Sequence, residues 1–207
     1  MNSIKNLYRG IKNDYNGYAK IANSRIKPIF KIHYYCNLIF RISHFFYEIK
    51  LLPLAKIFWG INRFVYAIDI DPGAKLNGGF VIIHGIGVVI GRYVISEGLF
   101  RIYQGATLGG NNDKESTYNG ILLRQPYIKD NVIIGINAAV LGPVVIETGA
   151  VIGTNAVVTK NVVPNSIVVG NNKTLTSKAV NIKILSKAKA ISKALESETL
   201  KEQHQWA

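Results

Sequence analysis

The chain carries four histidines, and an unperturbed imidazole, with a pKa of about 6.5, is well suited to act as a general base near neutral pH. They are His33, His44, His84 and His204. Only His84 lies among glycines and β-branched residues, in the run Ile82-Ile83-His84-Gly85-Ile86-Gly87. A base at this position can take the proton from a weak nucleophile such as an alkyl hydroxyl. His44 is expected to be a packed or hydrogen-bonded helix residue.

The single cysteine, Cys36, offers a second kind of nucleophile. It follows Tyr34-Tyr35 in an apolar stretch, which favours a buried packing role over a reactive thiol. One cysteine also excludes a disulfide framework and fits a reducing compartment.

The segment around His84 repeats with a period of six residues. Aliphatic residues spaced by six are Ile128, Ile134, Val140, Ile146, Ile152 and Val158, and four residues after each come Val132, Ala138, Val144, Ala150, Ala156 and Val162. Upstream, the first position holds Ile70, Leu76, Ile82, Ile90, Ser96, Ile102 and Leu108, and the second holds Ala74, Phe80, Ile86, Val94, Phe100 and Ala106. The phase slips by two residues between Ile82 and Ile90, and a break before Ile128 predicts a loop of about 19 residues.

A six-residue period fits neither a helix nor an amphipathic strand, but it fits a solenoid of short strands with a turn after each strand. Three hexapeptides close one triangular coil, with the aliphatic residue inward and the small residue near the corner. The pattern is typical of a left-handed parallel β-helix. The slip beside His84 distorts the coil and is expected to turn that side chain outward.

Three segments follow from this pattern. Residues 1–66 have apolar residues at helical spacing, punctuated by Pro28 and Pro53, and predict at least three helices. Residues 67–173 form the β-helix domain, and residues 174–207 predict a C-terminal helix capped by Thr174 or Ser177. Because a solenoid cannot finish its own ends, the helices are expected to cap it.

Charge is concentrated at the start of the chain. The net charge is +13, and residues 1–66 hold 11 Lys or Arg against 2 Asp or Glu. Such basic helices with interleaved aromatic residues suit a solvated face, or contact with anionic lipid or nucleic acid. Neither a signal peptide nor a membrane span is evident, so we expect a cytoplasmic protein, with peripheral contact at the inner membrane surface left open.

Three motifs resemble the serine acetyltransferase family, including relatives from surface-polysaccharide gene clusters. Asp69-Ile70-Asp71-Pro72-Gly73-Ala74-Lys75 is similar to the family's Asp-Ile-x-Pro-x-Ala-Lys. Gln104-Gly105-Ala106-Thr107-Leu108-Gly109-Gly110 is similar to Gln-x-x-Thr-Leu-Gly-Gly, and Arg41-Ile42-Ser43-His44 to Arg-Ile-x-His. The family's catalytic Asp and His lie fifteen residues apart, as do Asp69 and His84. The resemblance covers roughly residues 28 to 170.

This resemblance implies an acetyl-CoA-dependent O-acetyltransferase in which His84 is the general base and Asp69 its orienting partner. It implies no metal. Backbone N–H groups near Gly110 would bind the thioester oxygen as it gains charge. CoA would lie in the groove between two β-helices of a homotrimer, or of a multiple of trimers. The residues implied to contact CoA are Asn137, Thr154, Thr159 and Lys160, and those on the acceptor side are Gln104, Arg124 and Gln125.

Three departures from the family concern the acceptor. Ile83 stands where the family has an Asp, and Gln125 stands where it has the His of Arg-His-Pro. The Asp that precedes the helix motif is also missing, since no carboxylate lies between Asp14 and Glu48. An unpaired serine ammonium would bind weakly, although Arg124 could still meet a carboxylate.

These departures lead us to expect a sugar hydroxyl as acceptor, in the synthesis of capsule, O-antigen or exopolysaccharide. The alternative enzyme is a serine O-acetyltransferase of cysteine biosynthesis. Two non-enzymatic alternatives are a β-helix used as a scaffold and a basic nucleic-acid-binding module. The spacing of Asp69 and His84 argues against the scaffold, and the absence of a recognised nucleic-acid motif argues against the module.

Overall fold

The computed structural model describes residues 2–170 and 173–176, and the first third of the chain is helical. Helix α1 spans Asn2–Ala22, α2 spans Ile32–Glu48 and α3 spans Leu52–Tyr66, with a 3-10 turn at Lys27–Phe30 before α2. The two prolines of this region occupy first turns, where a missing N–H donor costs nothing. Within the described ranges no helix is long and apolar enough to cross a bilayer.

Short strands begin three residues after α3. They are β1 Asp69–Ile70, β2 Lys75–Leu76, β3 Phe80–Ile82, β4 Val89–Ile90, β5 Ile95–Ser96, β6 Phe100–Ile102, β7 Thr107–Gly109, β8 Ser116–Tyr118, β9 Ile121–Leu123, β10 Tyr127–Ile128, β11 Val132–Ile134, β12 Ala139–Leu141, β13 Val145–Ile146, β14 Val151–Ile152, β15 Val157–Val158, β16 Ser166–Val169 and β17 Lys173–Thr176. Most are two or three residues long, as a turn after every six residues requires.

Apart from the hairpin strands β8 and β9, the strands from β1 to β16 form three parallel sheets that are the three sides of the solenoid. Sheet A contains β1, β4, β7, β12 and β15; sheet B contains β2, β5, β10 and β13; sheet C contains β3, β6, β11, β14 and β16. Successive strands of each sheet come from successive coils, and the strand pairs within these sheets are parallel. The parallel β-helix predicted from the six-residue period is therefore confirmed.

The first position of the repeat fills the interior of the coils. In sheet A the stacked residues are Ile70, Ile90, Leu108, Val140 and Val158, all at most 1% exposed. Small residues of the second position, such as Ala138 and Ala150, are also fully buried. Truncating one of the large aliphatic residues to Ala would cost about 2–5 kcal/mol.

The two-residue slip beside His84 is confirmed, and it corrects one expected inward residue. Asp69 pairs with Val89, twenty residues later, whereas Val89 pairs with Thr107, eighteen residues later. The first coil therefore has two extra residues at its last corner. Ile86, expected to face inward, is 75% exposed, and Val88 takes the buried position instead.

The expected loop before Ile128 contains a β-hairpin. Strands β8 and β9 pair antiparallel within it. Asn119 and Gly120 connect them with positive φ angles of 49° and 76°, the conformation of a two-residue hairpin turn. The Asn-Gly pair is a strong local sequence signal for such a turn.

At the open edge of sheet C, β3 has no preceding coil to pair with, and side chains of the helices pair its backbone N–H and C=O groups instead. The carboxylate of Asp14 accepts the Phe80 N–H at 3.0 Å, and the Asn37 amide donates to the Phe80 carbonyl at 2.8 Å. The Tyr18 hydroxyl donates to the Ile82 carbonyl and accepts the Ile82 N–H, at 3.2 and 3.1 Å. Side chains of α1 and α2 thus replace the missing strand.

A buried ion pair holds this cap together. Arg41 of α2 donates from Nε and Nη2 to the two carboxylate oxygens of Asp14 of α1, each at 2.8 Å. Both side chains are at most 5% exposed. The two-point geometry fixes the angle between the helices, and it leaves one Asp14 oxygen aimed at the sheet edge.

The end of the described chain differs from expectation. Lys173–Thr176 form a strand, so Thr174 does not cap a helix. Residues 177–207, including Ser177 and the rest of the predicted C-terminal helix, lie outside the described residues. The division into segments 1–66, 67–173 and 174–207 stays a prediction about domains.

Replacing Asp14 by Ala is expected to lower the free energy of unfolding by about 3–5 kcal/mol, because Arg41 is left buried without a counter-charge. The matched control is Asp130→Ala. The Asp130 carboxylate also accepts a backbone N–H, that of Leu99 at 2.8 Å, but at an exposed site, so its loss should cost about 0.5–1.5 kcal/mol. Chemical denaturation of both variants measures the difference. Equal losses would contradict the capping role of the buried pair.

Candidate functional site

The predicted site residues occupy two of the three corners of the solenoid. We call the corner where the chain passes from sheet C to sheet A the C/A corner; it consists of residues 83–88, 103–106, 135–138 and 153–156. The A/B corner, where the chain passes from sheet A to sheet B, consists of residues 71–74, 91–94, 110–126, 142–144 and 159–161. Each corner forms a column that runs along the β-helix.

The C/A column brings together His84, Gln104, Asn137 and Thr154, one from each successive coil. Backbone hydrogen bonds join its turns: Gly105 N–H to the Ile86 carbonyl at 2.9 Å and Asn137 N–H to the Gln104 carbonyl at 3.0 Å. Asn137 has a φ of +54°, and a Cβ on Gly105 would lie 2.0 Å from the Asn137 Oδ1 atom. Glycine is therefore required at 105, and Asn137 has a turn-forming role whether or not it contacts CoA.

The A/B column holds the other predicted residues: Gly110, Arg124, Gln125, Thr159 and Lys160. Arg124 pairs with Glu115 across 2.6 Å and lies 5.3 Å over the centre of the Tyr93 ring. Gln125 accepts the Tyr93 N–H on Oε1 at 3.0 Å. These contacts fix the hairpin loop onto the second coil, and Arg124 is held out into solvent.

A single copy of the chain keeps these two groups apart. His84 and Arg124 lie on corners at opposite ends of the sheet A strands, facing away from each other around the triangle. The structure thus brings four of the predicted residues into one column and five into another. It places the expected base in one column with Gln104, but apart from Arg124 and Gln125, the other two residues expected on the acceptor side.

His84 is exposed on the widened corner of the first coil, as expected from the slip. Its neighbour is His33 of α2, whose ring lies almost perpendicular to it at 6.4 Å between centroids. The Gly85 N–H donates to Nε2 of His33 at 3.1 Å. Since Nε2 is an acceptor, His33 is neutral in this arrangement, with its proton on Nδ1. His33 carries no motif signal, so this contact cannot be predicted from the sequence.

Asp69 begins β1, beside the C/A corner, and its carboxylate has other partners. It accepts the Trp59 indole N–H at 2.8 Å and lies 3.8 Å from Arg63 Nε. Among the described residues, Asp69 makes no hydrogen bond to His84. The pairing of Asp69 with His84 therefore stays a prediction.

Gln104 has a buried side-chain oxygen, Oε1, without a hydrogen-bond partner among the described residues. A buried amide oxygen costs free energy until a donor reaches it, either from water or from a ligand. Within the C/A column, the Gln104 Oε1 atom is therefore the strongest indication of a bound water or ligand.

His44 lies away from this corner. Its Nδ1–H donates to the Pro72 carbonyl at 2.7 Å, and its Nε2 lies 3.6 Å from Glu48. Burial lowers the pKa of His44. It lines a cavity of about 950 Å³ between α2, α3 and the first A/B corner, together with Trp59, Asp71 and Arg92. In the described part of the chain, no group of three or more His, Cys, Asp or Glu side chains could hold a metal ion.

Acidification should destabilise the protein through His33. Burial, and then the positive charges of His84 and Lys31, lower the pKa of His33. The unfolded chain, with a pKa of about 6.5, then binds the proton more readily. Stability should therefore be full above about pH 6.5 and fall as the pH drops below it.

The variant His33→Gln removes this titration and keeps an oxygen that can accept the Gly85 N–H. Its melting temperature should fall less than that of the wild type between pH 7 and pH 5. His33→Ala, which loses the acceptor as well, should be less stable at both pH values. Identical pH dependence in the wild type and His33→Gln would show that His33 is not the titrating group.

Three comparisons with known proteins place the chain. Residues 125–160 match the family model of the bacterial transferase hexapeptide, six repeats. The serine acetyltransferase of Bacillus pumilus is 39% identical over 130 residues, which is 63% of this chain and 57% of that protein. The serine acetyltransferase of Buchnera aphidicola is 30% identical over 200 residues, which is 87% of this chain and 74% of that protein. The chain spans just over half the length of the first curated relatives it matches.

Solved structures agree with these relatives. The crystal structure of Neisseria gonorrhoeae serine acetyltransferase in complex with serine matches with a TM-score of 0.71 and 27% identity, over 82% of this chain and 69% of that chain. Together with the hexapeptide match, this likeness confirms the predicted fold class, a left-handed parallel β-helix preceded by helices.

Proposed function

Because the chain belongs to the serine acetyltransferase family, we propose that it transfers the acetyl group of acetyl-CoA to the hydroxyl of serine. The observation that carries the proposal is the Buchnera relative, whose likeness extends over the helices as well as the β-helix. The match to a structure described as a complex with serine supports the same acceptor.

The expectation of a sugar acceptor in polysaccharide synthesis is wrong. It rested on Ile83 and Gln125, which replace polar groups of the family. The relatives and the structural neighbour named above are serine acetyltransferases, and these findings favour the alternative, serine O-acetylation in cysteine biosynthesis.

The proposed reaction uses His84 as the base. A neutral imidazole removes the proton of the serine hydroxyl while the oxygen attacks the thioester carbonyl. As the C–S bond breaks, the imidazolium gives that proton to the sulfur, and CoA leaves as the thiol. Backbone N–H groups near Gly110 stabilise the oxygen that gains negative charge. Asp69 is assigned the stabilisation of the imidazolium. This assignment needs its carboxylate to exchange the Trp59 or Arg63 contact for one to His84.

The separation of the two corner columns supports a shared site. A C/A corner of one copy placed against an A/B corner of a second copy would join His84 to Arg124, and closure around a threefold axis would form three such sites. The same groove would hold CoA between Asn137 and Thr154 of one copy and Thr159 and Lys160 of the other. We therefore assign the protein a trimer, or a multiple of it.

The acceptor pocket is expected to bind serine less tightly than a pocket with the family's full set of polar groups. Ile83 packs against the apolar cluster of Tyr18, Tyr34 and Val81 beneath the helices, so it adds no charge for the serine ammonium. Arg124 must leave Glu115 before it can bind the serine carboxylate. Both effects raise KM and leave the base unchanged.

Replacing His84 by Ala should lower kcat by about 10² to 10⁴, because the base is lost. The exposed position of His84 means that the fold should be unaffected. Release of CoA in the presence of serine measures the rate, and light scattering provides the control for assembly. Wild-type turnover by a folded, assembled His84→Ala protein would contradict the role of this residue.

A shared site predicts complementation between two impaired variants, one without the base and one with a raised KM for serine, when both are assayed at a serine concentration below KM. Co-expression of His84→Ala with Arg124→Ala should produce mixed trimers in which about a quarter of the sites carry both intact residues, if the chains mix at random. Activity should then exceed that of either variant alone by a wide margin. Activity equal to the mean of the separate variants would indicate that each site lies within one copy.

Serine should support release of CoA from acetyl-CoA by the unmodified protein, with a KM that Gln125→His lowers about fivefold through one added hydrogen bond. Gln125→Asn is the matched control and should not lower KM. The substitution is made at position 125 and not at position 83, because an Asp at position 83 would enter the apolar cluster of Tyr18, Tyr34 and Val81. Absence of serine-dependent CoA release by the assembled protein would overturn the proposed acceptor.

A further inference from the structure

Helix α3 exposes an apolar stripe on the side that faces away from α2. Pro53, Ile57 and Phe64 are four and seven residues apart, so they lie on one line along the helix. Ile57 is 57% exposed and Phe64 is 93% exposed. We call these three residues the α3 stripe. The opposite side of α3 buries Ala55 and Asn62 against α2, so the α3 stripe is not the side that packs on the protein.

The stripe continues onto the start of α2. Helices α2 and α3 run antiparallel, since Ser43 donates to the Ala55 carbonyl and Asn62 donates to the Cys36 carbonyl. The last turn of α3 therefore lies beside the 3-10 turn and the first turn of α2. There Phe30 is 81% exposed and Ile32 is 58% exposed. Aromatic and aliphatic side chains this exposed, on neighbouring elements, indicate a surface with a partner.

The charges around the stripe are mostly positive, and the carboxylate of Asp69, which follows α3, faces Arg63 of that helix at 3.8 Å. Residues 15–68 hold eight Lys or Arg and a single carboxylate, that of Glu48. Glu48 is directed at the amide of Asn6 and at His44, away from solvent on the stripe. Lys50, just before α3, and Lys56, within α3, are exposed. A second copy of this face would bring cations against cations, whereas an anionic surface would be attracted.

We propose that the α3 stripe binds the interfacial region of an anionic lipid bilayer. Helix α3 has 15 residues and is thus about 22 Å long, too short to span a hydrocarbon core of about 30 Å. With one side packed on α2, it lies in the membrane plane, with Phe64 and Ile57 among the acyl chains and the lysines at the headgroups. This inference does not depend on which hydroxyl the protein acetylates.

The test is co-sedimentation of the full chain with vesicles of phosphatidylcholine alone and of phosphatidylcholine mixed with phosphatidylglycerol. The wild type should sediment with the anionic vesicles only, and less of it at high salt, because exposed charges are screened. Ile57→Ser combined with Phe64→Ser should weaken partitioning about tenfold or more, since two large apolar side chains no longer enter the bilayer.

The matched control is Val163→Ser, which removes a 55% exposed apolar residue on the β-helix and should sediment like the wild type. Lys50→Gln combined with Lys56→Gln should weaken binding only to anionic vesicles. The proposal is overturned if the wild type ignores anionic vesicles, or if the Ile57 and Phe64 double variant binds them equally well. It is also overturned if that double variant instead lowers the assembled mass in light scattering, to one half or to one third, which would make a second copy the occupant.

Discussion

A parallel β-helix begins with a row of backbone N–H and C=O groups that no earlier coil can pair, and in this protein three side chains pair them. Asp14, Asn37 and Tyr18 bind the polar groups of Phe80 and Ile82 on β3. Unpaired groups at this buried edge would each cost about 1–3 kcal/mol. The Asp14–Arg41 pair sets the position of α1 against α2, so the ends of the cap and the start of the solenoid are fixed together.

The same edge leads directly into the candidate site. Strand β3 ends at Ile82, and the chain then makes the widened C/A corner that carries His84. His33 of α2 holds Gly85 from the helical side, so the corner is bound on one side by the cap and on the other by the next coil. A corner fixed in this way can present a base at a constant angle. It presents His84 outward, which is why the proposed site includes a second corner from another copy.

Much of the fold could be predicted, because a six-residue period is a local property of the chain. Ile134, Val140 and Ile152 are buried as the period requires. Prediction failed where the period slipped, at Ile86, and where pairing joins distant residues. The Asp14–Arg41 pair spans 27 residues and the Asp14–Phe80 contact 66, and no periodic signal reports either. To predict that His84 and Gln104 share a column, one must also know which residues of successive coils lie side by side. The sequence indicates this alignment only through the position of the slip.

The acceptor that we propose differs from the acceptor that the motifs predict, for a physical reason. The loss of polar groups at positions 83 and 125 predicts a loss of serine binding when only the motifs are compared. Ile83, however, packs against the apolar cluster beneath the helices, and Gln125 holds the second coil through Tyr93. Both residues therefore have structural roles that a motif comparison cannot separate from substrate binding.

Hydrogen exchange at the Phe80 and Ile82 amides tests the capping account most directly. If Asp14 and Tyr18 replace a strand, both amides should be protected to the same degree as that of Ile133, which pairs with the Ala150 carbonyl at 3.0 Å inside the solenoid. Exchange at the rate of an exposed sheet edge would mean that the helices do not close the first coil, and it would contradict the account.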